Sequence, residues 1–165
     1  MTSLNPLYTE KELVYDPALV GVWADDGHTW TFEKAGEHSY KLVVAHGDKS
    51  STFVAHLVQL GEHRFLDLCP DLDDLKRDEL YKVALIPGHL FVKVIQIKPT
   101  LRMAVMDSEW LGKLLEKKTK ALAHQKMKDG RILLTASTKA LQGFVSKHWG
   151  TEGAWGDKTT DMKRK

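Results

Sequence analysis

Eight histidines and one cysteine, Cys69, are the first candidates for chemistry in this 165-residue sequence. His56, His63 and His89 fall in strand-like segments, and Asp67, Cys69 and Asp71 lie close in sequence to His63. A zinc site needs three or four such ligands converging at about 2 Å, usually as closely spaced pairs, and no pair here has that spacing. The expectation is therefore no metal. Asp71-Leu72-Asp73-Asp74 lacks the glycine and the distal glutamate of a calcium loop and reads as a turn. Cys69 precedes Pro70 with no basic neighbour to lower its pKa, the setting of an inert thiol. Ser50, Ser51 and Ser137 occupy turn or cap positions. There is no phosphate loop, dinucleotide fingerprint, HExxH helix, nucleophile elbow or CxxC pair. An enzyme is consequently the least favoured class, with no catalytic residue and no cofactor assigned. What remains is aromatic content on strands. Phe32, Tyr40, Phe53, Phe65 and Phe91, with His56 and His89 as polar anchors, are the candidate ligand-binding residues, an apolar lining with a few polar groups.

The elements that must position these residues follow from periodicity. Residues 1–17 contain two prolines and no sustained period, and read as an irregular arm. Leu19 to Trp23 suits a buried strand, and Asp25, Asp26 and Gly27 supply a reversal. Trp30 and Phe32 then alternate against Thr29, Thr31 and Glu33, the period of two of a half-buried strand. Ser39 to Ala45 alternates again. Thr52 to Leu60 is apolar on both faces, which predicts a cover on its outer side. Arg64 to Leu68, His89 to Ile97 and Leu101 to Val105 continue the series, while Leu80 to Ile86 fits strand or helix equally. At least seven short strands in succession predict an antiparallel sheet that closes or folds over, spanning about residues 18–136.

The period then changes. Asp107 or Ser108 can cap a helix near 108–119 whose Trp110, Leu111, Leu114 and Leu115 form one apolar stripe. Lys128-Asp129-Gly130-Arg131 between two strand-like runs is a hairpin turn, and a last helix near 138–148 carries Leu141, Phe144 and Val145 on one face. Residues 150–165 read as a flexible tail. The fold class is thus mainly β with two helices (α+β): an antiparallel barrel in residues 18–149 with the helices packed outside or across one end. Trp23 and Trp30 are expected to be structural rings, Trp23 plugging one end.

Composition bounds the partners. The hydrophobic share of 42%, with five Trp, five Phe and four Tyr, supports a packed core. No apolar stretch approaches the roughly 20 residues of a membrane span. Basic and acidic residues balance at 24 to 22, and residues 1–155 are neutral, which argues against a nucleic-acid partner. Six lysines between Lys113 and Lys128 face one acid, Glu116, and read as a solvated surface.

Gly21-Val22-Trp23 resembles the Gly-x-Trp signature of lipocalins, in which the Trp closes the bottom of an eight-stranded barrel. Residues 5–148 more broadly resemble a family of uncharacterised bacterial proteins with a lipocalin-like (calycin-like) barrel. The matching stretches are Asn5 to Glu10, Trp30-Thr31-Phe32, Ala55-His56-Leu57, Phe65 to Leu68, Pro87-Gly88-His89 and Leu133 to Thr138. The resemblance implies the barrel and no activity. Members of that family often carry a lipoprotein leader, which would imply an envelope anchor; this sequence shows neither leader nor lipobox cysteine. As written the chain is expected to be cytoplasmic, and a removed leader would place it in the envelope or periplasm. Two uses of the barrel stay open: binding a small apolar or amphipathic ligand, or serving as a structural or protein-interaction module with a filled interior.

Overall fold

The computed structural model describes residues 2–73, 75, 78–156 and 159–165. In chain order it contains β1 (Thr2–Ser3), a 3-10 turn at Glu10–Glu12, β2 (Leu13–Val14), a second such turn at Pro17–Leu19, β3 (Gly21–Ala24), β4 (Thr29–Lys34), β5 (Ser39–His46) and β6 (Lys49–Leu60). β7 (His63–Pro70), α1 (Glu79–Ala84), β8 (Leu90–Gln96), β9 (Thr100–Val105), α2 (Ser108–Lys117), β10 (His124–Lys126), β11 (Ile132–Leu134), α3 (Thr138–Lys147) and β12 (Thr160–Arg164) follow. Among the described residues no helix is long and apolar enough to cross a membrane.

β3 to β9 and β12 form a closed eight-stranded antiparallel barrel, because β6 pairs with both β5 and β7 and β12 bridges β3 and β9. β6 is the long strand. Its first part pairs with β5, and β2 takes over the same edge at Val58 and Leu57 where β5 has ended. The predicted barrel is present, with three helices rather than two: the ambiguous segment around Leu80 forms α1, capped by the Asp78 side chain accepting from the Tyr81 amide. Asp107 and Ser137 likewise accept from the Trp110 and Ala140 amides at the starts of α2 and α3.

Three expectations are corrected. The C-terminal tail is not flexible over residues 160–164: it is the barrel's eighth strand, with Met162 opposite Leu101 and Arg164 opposite Trp23. Without it β3 and β9 would present unpaired edges, which closure removes. The hairpin of β10 and β11 lies outside the barrel, in a separate three-stranded sheet with β1, which runs parallel to β11. The arm is not an irregular appendage, since it supplies two strands and buries Ser3 and Leu7 completely.

The apolar residues divide into two cores. Trp23, Phe32, Tyr40, Leu42, Leu57, Leu66, Val94 and Leu101 fill the barrel, with Leu19 beneath. Leu7, Val58, Phe65, Phe91, Leu111 and Leu141 belong to an outer core in which the arm, α2 and α3 cover β6 to β9. This is the cover that the two apolar faces of β6 predict. The closed end is built around Trp23, which is fully buried and whose Nε1 donates to the Leu19 carbonyl at 2.8 Å. Arg164 sits 5.6 Å over that ring and donates to the Val20 carbonyl at 2.8 Å. Gly21 permits this approach: its φ is +132°, and a Cβ there would lie 2.9 Å from the Arg164 Nη2.

Candidate functional site

The opposite end of the barrel is open, for a reason visible in its side-chain sizes. Going up the interior, the large rings of Phe32 and Tyr40 give way to the smaller Val44, which pairs with the exposed Ser51. Trp30, paired with Val44, and Phe53, paired with Leu42 and Pro70, stand at this level and are half-buried. Together with Leu68, Leu90 and Val105 they surround a cavity of about 240 Å³. Val105 is 57% exposed at its rim.

Phe53 is also a wall of an adjoining cleft of about 460 Å³, formed where the connection between β7 and β8 passes the start of β6. Ser50, Ser51, Asp71, Leu72, Leu85 and Ile86 contribute to it. The connection carries α1, none of whose residues is buried, and exposes Leu80, Val83 and Ile86 at 81%, 82% and 76%. A six-residue helix with no buried residue adds little apolar packing of its own.

The residues singled out from sequence separate into three places. Phe53 lines the mouth. Phe32 and Tyr40 are packed in the filled part of the interior, edge to face at 6.1 Å. The Tyr40 hydroxyl accepts from the Asp16 amide at 2.7 Å and donates to the Asp16 carbonyl at 3.2 Å, which ties the arm to the barrel, and burial pushes its pKa up to about 12. Phe65 and Phe91 are not interior residues at all. Both are in the outer core, Phe65 against Trp149 at 5.2 Å and Trp155 at 5.6 Å, although Phe91 also borders the mouth. Trp30, expected to be structural, packs against the barrel core and also lines the cavity.

His56 and His89 lie on the outer side of the barrel wall, beside the arm. His56 pairs in register with Asp67 and its ring lies tilted against Tyr8 at 4.5 Å, and burial lowers its pKa. His89 Nδ1 lies 2.6 Å from Asp67 Oδ1, while Asp67 Oδ2 accepts from the Leu7 amide at 2.7 Å. Asp67 has no exposed surface. Ser3 and His89 exchange backbone hydrogen bonds of 2.9 and 2.8 Å beside this pair. The group is a polar clasp that holds the arm against the barrel wall, satisfying a buried carboxylate that would otherwise be costly. Cys69, two residues on, has its thiol pushed up by burial, Asp67 and Asp71, and stays protonated. Among the described residues no three His, Cys, Asp or Glu side chains gather as metal ligands do.

Sequence reasoning missed Asp67 as the hub of the clasp, and Leu68, Leu90 and Val105 as lining. The latter had a readable mark: each lies at or within two residues of the strand end next to Asp71, Gly88 or Asp107. Compared with known proteins, the chain matches no protein family, no curated protein and no solved structure.

Proposed function

We propose that this chain binds a small apolar or amphipathic molecule at the open end of its barrel. The observation that carries the reading is the convergence of Trp30, Val44, Phe53, Leu68 and Leu90 on a void that the core does not fill, with Phe53 shared by the adjoining cleft. Cavities that hold small ligands usually measure about 300–1,000 Å³, are apolar, and offer a few polar groups. The mouth alone is smaller than this range, and the cleft alone falls within it. The Gly21-Val22-Trp23 resemblance to lipocalins supports the same use, since Trp23 closes one end and leaves the other available.

A neutral polarity-sensitive dye such as Nile red tests the reading. Saturable enhancement at micromolar protein, with quenching of Trp30 fluorescence, is the expected result. Phe53→Ala should weaken it severalfold while leaving the circular dichroism spectrum unchanged. No saturable signal would favour the second reading, a protein-interaction module. The observation on that side is the exposed apolar side chains of Leu80 and Val83 on α1 and of Ile86 just after it, together with the buried cluster that packs the lower barrel.

A further inference from the structure

On the premise that the ligand site just proposed is real, the chemistry of its wall narrows the ligand class. Apart from Trp30, the side chains that line the mouth cavity are all Val, Leu or Phe. The Trp30 Nε1 is therefore the one side-chain nitrogen or oxygen in the lining, and no ionisable group is among the lining side chains. The lining residues all belong to paired strands, whose main-chain groups bond to one another along the ladder.

That single donor is uncommitted. Trp23 and Trp155 donate their Nε1 hydrogens to the Leu19 and His148 carbonyls at 2.8 and 2.7 Å. The half-buried Trp30 donates to no group among the described residues. Trp110 and Trp149, the other two indoles without such a bond, pack against the outer core and not the barrel core. In an open mouth an indole N–H is satisfied by water. A ligand that fills the cavity excludes that water, and must either accept the hydrogen bond or leave the donor unpaired.

Size and charge follow from the same wall. An apolar cavity of about 150 Å³ accepts benzene, so a mouth of about 240 Å³ takes one substituted six-membered ring. An ion of that size would leave water for a lining that holds no opposite charge, at a cost well above that of one lost hydrogen bond. We infer that the ligand is an uncharged molecule of about that size, bearing a carbonyl or ether oxygen that accepts from the Trp30 Nε1.

Three probes of one size test this on the full chain: acetophenone; isopropylbenzene, in which a methyl group replaces the carbonyl oxygen; and benzoate, in which a charged oxygen replaces the methyl group. The indole N–H resonance of Trp30, assigned by triple-resonance spectra, is followed as each is added. Acetophenone should move it downfield with saturation, and isopropylbenzene, whose ring exerts a similar ring current, should not. In Trp30→Phe the ratio of acetophenone to isopropylbenzene affinity, read by displacement of Nile red, should fall roughly threefold to tenfold. Benzoate should bind the parent protein at least roughly tenfold more weakly than acetophenone. Equal downfield shifts with both neutral probes, or an unchanged affinity ratio in a folded Trp30→Phe, would overturn the acceptor and leave the ligand site standing. Benzoate binding as tightly as acetophenone would overturn the uncharged class in the same way. If no probe perturbs Trp30 or displaces the dye, the ligand site itself fails, and the inference with it.

Discussion

Replacing Met162 with Ala should unfold the protein at a clearly lower temperature, although the residue lies three positions from the C-terminus in a segment whose sequence looks flexible. Its side chain has no exposed surface and packs in the barrel interior, opposite Leu101 and in the same core as Trp23 and Met103. Truncating a buried Met removes its transfer free energy and leaves a cavity that a closed barrel cannot collapse around, together about 2–5 kcal/mol. Taking about 3 kcal/mol, and about 2–4 °C per kcal/mol for a chain of this size, Tm should fall by about 6–12 °C. The neighbouring side chain of Lys163 is exposed, so Lys163→Ala should change stability by no more than about 0.5 kcal/mol. Differential scanning calorimetry on both variants, with urea unfolding as a second measure, decides the matter. If Met162→Ala kept the Tm of the parent protein, β12 would not be a strand of the barrel, and the account of its closed end would fall with it.

Trp23→Ala should cost about 3–5 kcal/mol, much of the 5–15 kcal/mol that a domain typically has, and appear as loss of cooperative unfolding; retained Tm would refute the plug. Asp67→Ala should destabilise by about 3 kcal/mol, because it orphans the Leu7 amide and the His89 ring together, and should speed hydrogen exchange in residues 2–8; Asp67→Asn, which keeps an acceptor, should cost less. Burial raises Tyr8 and Tyr40 from 10.0 to about 12. The unfolded chain then releases those two protons before the folded one does, so their contribution is fully present below 10.0 and is lost as pH climbs toward about 12. Phenolate absorbance of the native protein should accordingly show two of its four tyrosines titrating late, and all four ionising together would refute the burial.

How much of this was legible in the sequence depended on whether a strand is buried on one face or two. β4 and β5 alternate between apolar and polar residues, and their inner faces, Phe32 with Tyr40 and Leu42, are readable at once. In β6, β7 and β8 both faces are apolar, so periodicity locates the strand but cannot say which face looks into the barrel. That is why Phe65 and Phe91 read equally well as lining and as outer core. The charged residues break the tie. Asp67 shares a face with Phe65 across two positions, and Lys93 with Phe91; in register Asp67 meets Phe91 and Phe65 meets Lys93. The other face of the same strands is Leu66, Leu68, Val92 and Val94, without a polar atom in any side chain. A closed barrel interior gives a charge no partner and no water, whereas an outer layer covered by an arm and helices supplies backbone amides, as Leu7 does for Asp67, and carbonyls, as Trp149 does for Lys93 at 2.6 Å. The face bearing the charges must therefore point outward. β12 offered no such handle. Five residues with one apolar side chain, Met162, carry no period to detect, and only the need of β3 and β9 for a partner at their open edges implies that a strand belongs there.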